Sequence, residues 1–305
     1  MGVLVLAALF APPPPASDHS PLLSTWTGPD GSVWDLRDWR SGVCVLMDGV
    51  TGLHSPRIDK FRSESRSVPG HRRRGWRTTG RDVFWPVFVY GDGSDAWRDV
   101  YGRFFATIHP DREGVWEVTA GDSSRRLRLT GVFDDEYQFG LDPLQHGWAR
   151  FPVSLEPAQP YWEGDPVTTG EFGVPDPVDF IDEEVGAPDF HLSTSSTFAS
   201  ATISNPGDVE SWLVWTVRGP LTGVELGVGG VTAPVPFDLL DGQTLRIDTD
   251  PRNVTATLNG IDATAELGLI EFGPVPPGED VDLSITATGS GTVQGQLIPL
   301  YFRAF

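Results

Sequence analysis

Alternation of side-chain type at a period of two, cut short by glycine, is what most narrows the fold open to this sequence. RDVFWPVFVYG (81–91) shows it, and SVWDLRDW (32–39), SGVCVLMDGV (41–50), GVWEVTAG (114–121) and SRRLRLTGVFDDEYQF (124–139) repeat it. Successive residues of a strand point to opposite faces, so such runs predict half-buried strands joined by tight turns. The 35 Gly and 27 Pro supply the turns and leave little room for helices of three turns. With 17 Phe and 11 Trp in 305 residues, the chain can fill packed cores, and its length suits two of them. The expected fold class is mostly β.

One segment breaks the pattern. In GSDAWRDVYGRFFATIHP (93–110), Trp97, Val100, Tyr101, Phe104, Phe105 and Ile108 recur three and four apart, Ser94 or Asp95 is placed to cap, and Pro110 lies just past the end. This predicts one amphipathic helix packed on the sheet of the first half. Further on, residues 195–230, 241–260, 275–290 and 291–305 read as short strands with a turn at Asn205-Pro206-Gly207-Asp208 and no helical pattern between them, which predicts a β-sandwich.

Charge divides the chain in the same way. Residues 1–165 hold 18 Lys/Arg against 22 Asp/Glu, and residues 166–305 hold 4 against 20, within a net charge of −20. The change falls in the Pro-, Gly- and acid-rich stretch 160–188, which reads as having no regular element. The expected organisation is a first domain over 1–165, a linker over 166–188 and a second domain over 189–305.

Catalytic signatures are sparse. Neither a G-x-x-x-x-G-K-[ST] nor a G-x-G-x-x-G phosphate loop is present, the six histidines stand singly, and no G-x-S-x-G elbow occurs. Asp134, Asp135 and Glu136 resemble a glycosidase carboxylate pair only until strand geometry is considered, since consecutive residues face opposite ways. The expectation is a protein that is not an enzyme, with no cofactor and no metal. The lone Cys44 forms no disulfide within the chain and is expected to be a buried thiol. The opening MGVLVLAALFAPPPP lacks a basic start and is too short to cross a bilayer, so no membrane insertion is expected; it reads as an edge strand or a tail packed on a neighbour.

The strongest surface feature is HRRRGWRTTGRD (71–82), with five arginines in an acidic chain. Arg72, Arg73, Arg74, Trp76 and Arg77 lie between Pro69-Gly70 and Thr79-Gly80, with Arg81 just beyond, as in an extended arm or hairpin. Arginine with an aromatic neighbour can grip nucleic acid, yet the surrounding half is itself slightly acidic. Planar guanidinium groups meeting carboxylates of an adjoining subunit is the favoured reading, and the six residues are the candidate inter-subunit contacts. Trp212 and Trp215 in SWLVWTV are candidates for stacking on a glycan; being three apart on a strand they face opposite sides, so one of them belongs to the core.

In order and spacing, several segments together resemble the distal tail proteins of long non-contractile-tailed phages, in particular the minor tail proteins of phages that infect actinobacteria. They are GSVWDLRDW with SGVCVLMDGVTGL, VPGHRRRGWR with RDVFWPVFVYG, FFATIHPDREGVWEVTAGDSSRRLRL, SLEPAQPYWEGD, NPGDVESWLVWTVRGP, GQTLRIDTDPR and VPPGEDVDLSI. The resemblance implies a ring-forming belt domain that adapts to the tail tube, commonly as a hexamer, and a galectin-like β-sandwich projecting outwards. It implies a structural baseplate hub at the tail tip of the virion, assembled in the host cytoplasm, with DNA only in transit through its lumen. Its partners are then further copies of itself, the tail-tube protein, the tail-associated fibre or lysin hub protein, and a receptor-binding protein or host glycan. The sequence departs from galectins in one respect: NPGDVESW carries no cluster of basic residues for holding a galactoside, and the second half has four Arg and no Lys. A carbohydrate-binding module that contacts the host surface is the alternative reading.

Overall fold

The computed structural model describes residues 21–133, 140–173, 198–268 and 270–305. In the first half the strands are β1 (Leu23–Thr27), β2 (Val33–Asp35), β3 (Val43–Val45), β4 (Ile58–Ser65), β5 (Val68–Thr78), β6 (Val83–Tyr90), β7 (Gly114–Ala120), β8 (Ser123–Val132), β9 (Trp148–Glu156) and β10 (Trp162–Glu163). The main sheet runs β2-β1-β7-β8-β9-β6-β3. Its ends nearly meet, because Leu36, just past β2, donates to Ser24 O and accepts from Val45 N of β3, each at 2.9 Å. The result is a barrel-like curl with no long open edge.

Alternation decides which side chains enter that curl. Val83, Trp85, Val87 and Val89 of β6 are all buried, and so are Trp26, Trp116 and Trp162. Trp26 meets Trp85 edge-on at 5.3 Å, Trp85 meets Trp116 at 5.2 Å, and Trp116 leans on Trp162 at 5.0 Å. Three of the four indoles find acceptors: Trp26 donates to Thr107 Oγ1, Trp116 to Ser24 Oγ and Trp162 to Gly52 O. A Cβ at Gly114 would lie 2.2 Å from the Trp26 ring, so the close approach of β7 to that ring needs glycine there.

The helix, α1 (Ser94–Ala106), forms where the spacing predicts it and buries Trp97 and Phe104. Its cap differs from expectation. The N-cap is Gly93 with φ 94°, and no side chain caps the helix. Ser94 Oγ instead donates to Leu144 O at 2.7 Å, while Asp95 pairs with Arg98 one turn on.

The second half continues with β11 (Val167–Thr168), β12 (Phe172–Gly173), β13 (Phe198–Ser204), β14 (Leu213–Arg218), β15 (Leu221–Val228), β16 (Val231–Pro234), β17 (Thr244–Asp248), β18 (Thr255–Leu258), β19 (Ile261–Asp262), β20 (Asp280–Gly289), β21 (Thr292–Leu297) and β22 (Leu300–Tyr301). One sheet runs β11-β21-β14-β17-β18-β19 and the other β13-β20-β15-β16. Leu213, Trp215 and Val217 from the first, and Val224, Leu226, Leu283 and Ile285 from the second, share a single core, which makes a β-sandwich. The predicted turn is held by Asn205: its Nδ2 donates to Val209 O and Val275 O, and its Oδ1 accepts from Gly207 N, each at 2.9 Å.

Two crossings tie the halves together. Within the stretch read as lacking regular structure, β11 and β12 pair with β21, because Val167 and Phe172 have apolar side chains that rest on the second core. In return β22 leaves the sandwich and pairs with β10, Trp162 opposite Tyr301, and Ala304 enters the first core. The mostly β architecture is as expected, and Cys44 is a buried free thiol whose pKa is raised by burial. Residues 1–20, Asp134, Asp135 and Glu136, and residues 174–197 of the linker and second domain start lie outside the described residues.

Candidate functional site

The arginine-rich segment forms a hairpin. β4 and β5 make a separate two-stranded sheet, exposed along most of its length, whose residues 58–78 carry seven Lys/Arg against Asp59 and Glu64. The register places Asp59 opposite Arg77, Phe61 opposite Gly75 and Arg62 opposite Arg73, with a bulge that leaves Arg74 unpaired. Arg77 reaches Asp59 at 3.4 Å and lies 5.7 Å above the Phe61 ring, while Arg74 Nε donates to Ser63 Oγ at 3.0 Å. Arg72 and Arg73 have no acidic partner among the described residues, and like charges directly opposite on a ladder repel. A lone two-stranded hairpin is marginal in water without further packing. At its root Tyr161 donates to Thr78 Oγ1 at 2.8 Å and Trp76 lies 6.1 Å from Phe302.

Arg81 separates from the other five candidates. It is 4% exposed and donates to four carbonyls: Pro160 O at 2.6 Å, Phe302 O at 2.8 Å, and Gly52 O and His54 O. Burial pulls its pKa down to about 10, with the Tyr161 hydroxyl opposing, so it stays a cation at neutral pH. Its donors are committed within the chain. It fastens the ends of three segments and does not belong to the exposed arm.

The two tryptophans of SWLVWTV divide as alternation requires. Trp215 is fully buried beside Gly295, its directly opposite partner on β21, whose missing side chain leaves room for the indole. Trp212 is half-exposed and lines a cleft of about 430 Å³ between the halves, with Trp76 and Tyr161 from the first and Asp208, Glu210, Asp250 and Arg252 from the second. Arg252 Nε bonds both oxygens of Asp250, at 2.9 and 3.1 Å. Burial alone would raise the Asp250 pKa, but the hydrogen bonds and charge of Arg252 outweigh it and hold the carboxyl below its ordinary value.

A third surface was not singled out from the sequence. On the outer face of β3, β6 and β9, the Phe88 ring stacks on Trp148 at 5.7 Å and meets Trp39 edge-on at 5.3 Å. Trp39 is 55% exposed, Trp148 37% and the adjacent Tyr90 48%. The signal for it was the second alternation phase of VFWPVFVY, in which Phe84, Pro86, Phe88 and Tyr90 put apolar groups on the outside as well. Sheets wet on one face ordinarily place polar residues there.

Among the described residues no group of three or more His, Cys, Asp or Glu could hold a metal ion, and no helix is long and apolar enough to cross a membrane.

A curled β-sheet with a helix packed on it, joined to a β-sandwich through paired strands, is similar in fold to solved chains of phage hub and baseplate structures. The SPP1 Dit protein, described as a paradigm of the hub adsorption apparatus in phages infecting Gram-positive bacteria, matches with TM-score 0.58 at 16% identity, over 91% of this chain and 98% of its own. Chains of the phage P2 baseplate in its activated conformation match over the same shares at 10% identity, with TM-scores of 0.55 for the calcium form and 0.51 for the strontium form. No protein-family model and no curated protein matches the sequence. The likeness to distal tail proteins read from the sequence is thus present in the fold.

Proposed function

We propose that the chain is a distal tail protein of the actinobacteriophage minor-tail type: a structural, non-catalytic hub that closes into a ring, six-fold in the commonest pattern, at the tip of a non-contractile tail. Residues 1–165 are the belt that docks on the tail-tube protein, 166–188 the linker, and 189–305 a galectin-like sandwich facing outwards. The fibre or lysin hub protein and a receptor-binding component attach to it. Its place is the virion, after assembly in the host cytoplasm. The observation that carries this reading is the fold likeness to SPP1 Dit, which takes in 91% of this chain and 98% of that one and so includes both halves in one arrangement.

Charge supports self-association. Outside residues 58–78 the chain holds 15 Lys/Arg against 40 Asp/Glu, so the cationic arm of one copy meets an acidic surface on the next. The aromatic face on β3, β6 and β9 supplies the desolvated part that a stable contact needs. The acidic remainder repels phosphates, which suits a passage that DNA must traverse without sticking. Mass by light scattering, with negative-stain images, tests the reading in the presence and absence of tail-tube protein. Closed rings support it; a chain that stays monomeric in both conditions overturns it.

A further inference from the structure

We propose that the cleft between the two halves binds a neutral saccharide, a property that goes beyond the hub reading and stands whether or not a ring forms. Its volume, about 430 Å³, is that of a small-molecule site, and such sites favour junctions between packed units. Three aromatic side chains reach it from three separate segments: Trp76 at the root of the arm, Tyr161 before β10, and Trp212 before β14. Flat rings with polar edges suit the C–H face of a pyranose.

The polar lining selects among ligand classes. Asp208, Glu210 and Asp250 line the cleft together with a single cation, Arg252, which Asp250 already engages. A phosphate or other anion would meet net negative charge with no free arginine pair to hold it. A lysine or arginine side chain of a protein is drawn by that negative charge but can only donate, so it leaves the remaining Arg252 donors without an acceptor. Vicinal hydroxyls donate to carboxylates and accept from a guanidinium at once, so a sugar uses both kinds of group. The groups are also held in place. Asp208 Oδ2 accepts from Phe302 N at 2.9 Å, and Arg252 is fixed by its hydrogen bonds to both oxygens of Asp250, whereas Glu210 has no partner among the described residues and is free for a ligand.

The test uses the full chain and follows tryptophan fluorescence and saturation-transfer NMR. The neutral probes are N-acetylglucosamine tetrasaccharide, galactotetraose and cellotetraose; a glycerol-phosphate hexamer and hexa-arginine are the charged ones. At least one neutral saccharide is expected to bind, and Trp212→Ala and Glu210→Ala are each expected to weaken it about tenfold or more with the near-UV circular dichroism unchanged. If Trp212→Ala fails to fold, Glu210→Ala decides, since that side chain is exposed and makes no internal bond. Binding of hexa-arginine alone would assign the cleft to a basic protein segment, and binding of glycerol phosphate alone to an anion. Either result overturns the proposal, as does saccharide binding that survives Glu210→Ala or no binding of any neutral probe.

Discussion

The guanidinium of Arg81 donates a 2.8 Å hydrogen bond to the carbonyl of Phe302, 221 residues further along the chain. The same cation holds Pro160, Gly52 and His54, so one side chain satisfies carbonyls from three segments at the junction of the halves. Removing it leaves buried acceptors without donors. Arg81→Met is expected to lower stability by about 3 kcal/mol or more, read from urea unfolding. A loss below about 1 kcal/mol would mean that water replaces the guanidinium there.

The end of the chain acts as a strap. Tyr301 pairs with Trp162, Ala304 N donates to Leu53 O at 2.9 Å, and the Arg125 guanidinium sits 3.7 Å from the Tyr301 ring centre. Deleting residues 300–305 removes these contacts and unpairs Arg81 from Phe302. Calorimetry should show one cooperative transition for the intact chain and two for the deletion variant, one for each core. A deletion variant that still melts in one step would show that β11, β12 and the cleft contacts alone couple the halves.

Much of this architecture can be read from the sequence, because period-two alternation and the helix pattern report burial that local residues themselves decide. Pro86 illustrates the limit. A proline in a central strand argues against that strand, yet Pro86 stands opposite Pro152, where neither residue is asked for a ladder donor, and β3 ends beside it. That answer depends on register, which alternation does not specify. Arg81 is misplaced by sequence for a similar reason: it follows four arginines of the arm, and only carbonyls brought from residues 52, 54, 160 and 302 distinguish it. The cleft draws on segments far apart in the chain, so alternation could sort Trp212 from Trp215 into opposite faces without saying which one faced solvent.

The arm should be dispensable for folding and needed for assembly. Arg73→Glu sets an acid opposite Arg62 in place of a like charge, so with Arg74→Glu the monomer should hold its stability or gain about 0.2–1 kcal/mol. The same double variant should lose most of its oligomer by light scattering at matched concentration. High salt should weaken the wild-type assembly as well, since screening at 1 M acts within about 3 Å. An oligomer unchanged by charge reversal would remove the arm from the interface.

Acid should unsettle the chain below the ordinary carboxylate range. Asp30, lowered by its bonds from Ser32, and Asp250, lowered by Arg252 against the opposing effect of burial, both have folded pKa values below the unfolded one. Such groups stabilise fully above the unfolded pKa, about 4, and lose that contribution as pH falls through the folded value. Stability is thus expected to hold from neutrality to about pH 5 and to drop below it. Asp250→Asn should lower the neutral plateau by about 1 kcal/mol or less, the pair being partly exposed, and flatten the acid slope. Asp250→Asn with an unchanged acid slope would show that this carboxylate contributes nothing to the transition.

The aromatic face makes a different demand from the arm, since its contribution is desolvation and salt should not weaken it. Phe88 lies between Trp39 and Trp148, and an exposed pair of this kind is worth about 0.5–1.5 kcal/mol to the monomer. Trp148→Ser should cost the isolated chain that amount plus the partial burial of the ring, about 1–3 kcal/mol in all. If the face is buried between copies, the same substitution removes a large side chain from the centre of the contact, where truncation costs about 2 kcal/mol or more per interface. A closed ring repeats the contact around its circumference, so the loss multiplies and assembly should fail at concentrations where the wild type is fully closed. Light scattering of Trp148→Ser beside Arg73→Glu/Arg74→Glu, at low and high salt, separates the two surfaces. Loss of the ring at every salt concentration in the first variant assigns this face to the interface, and a ring that persists leaves assembly to the arm.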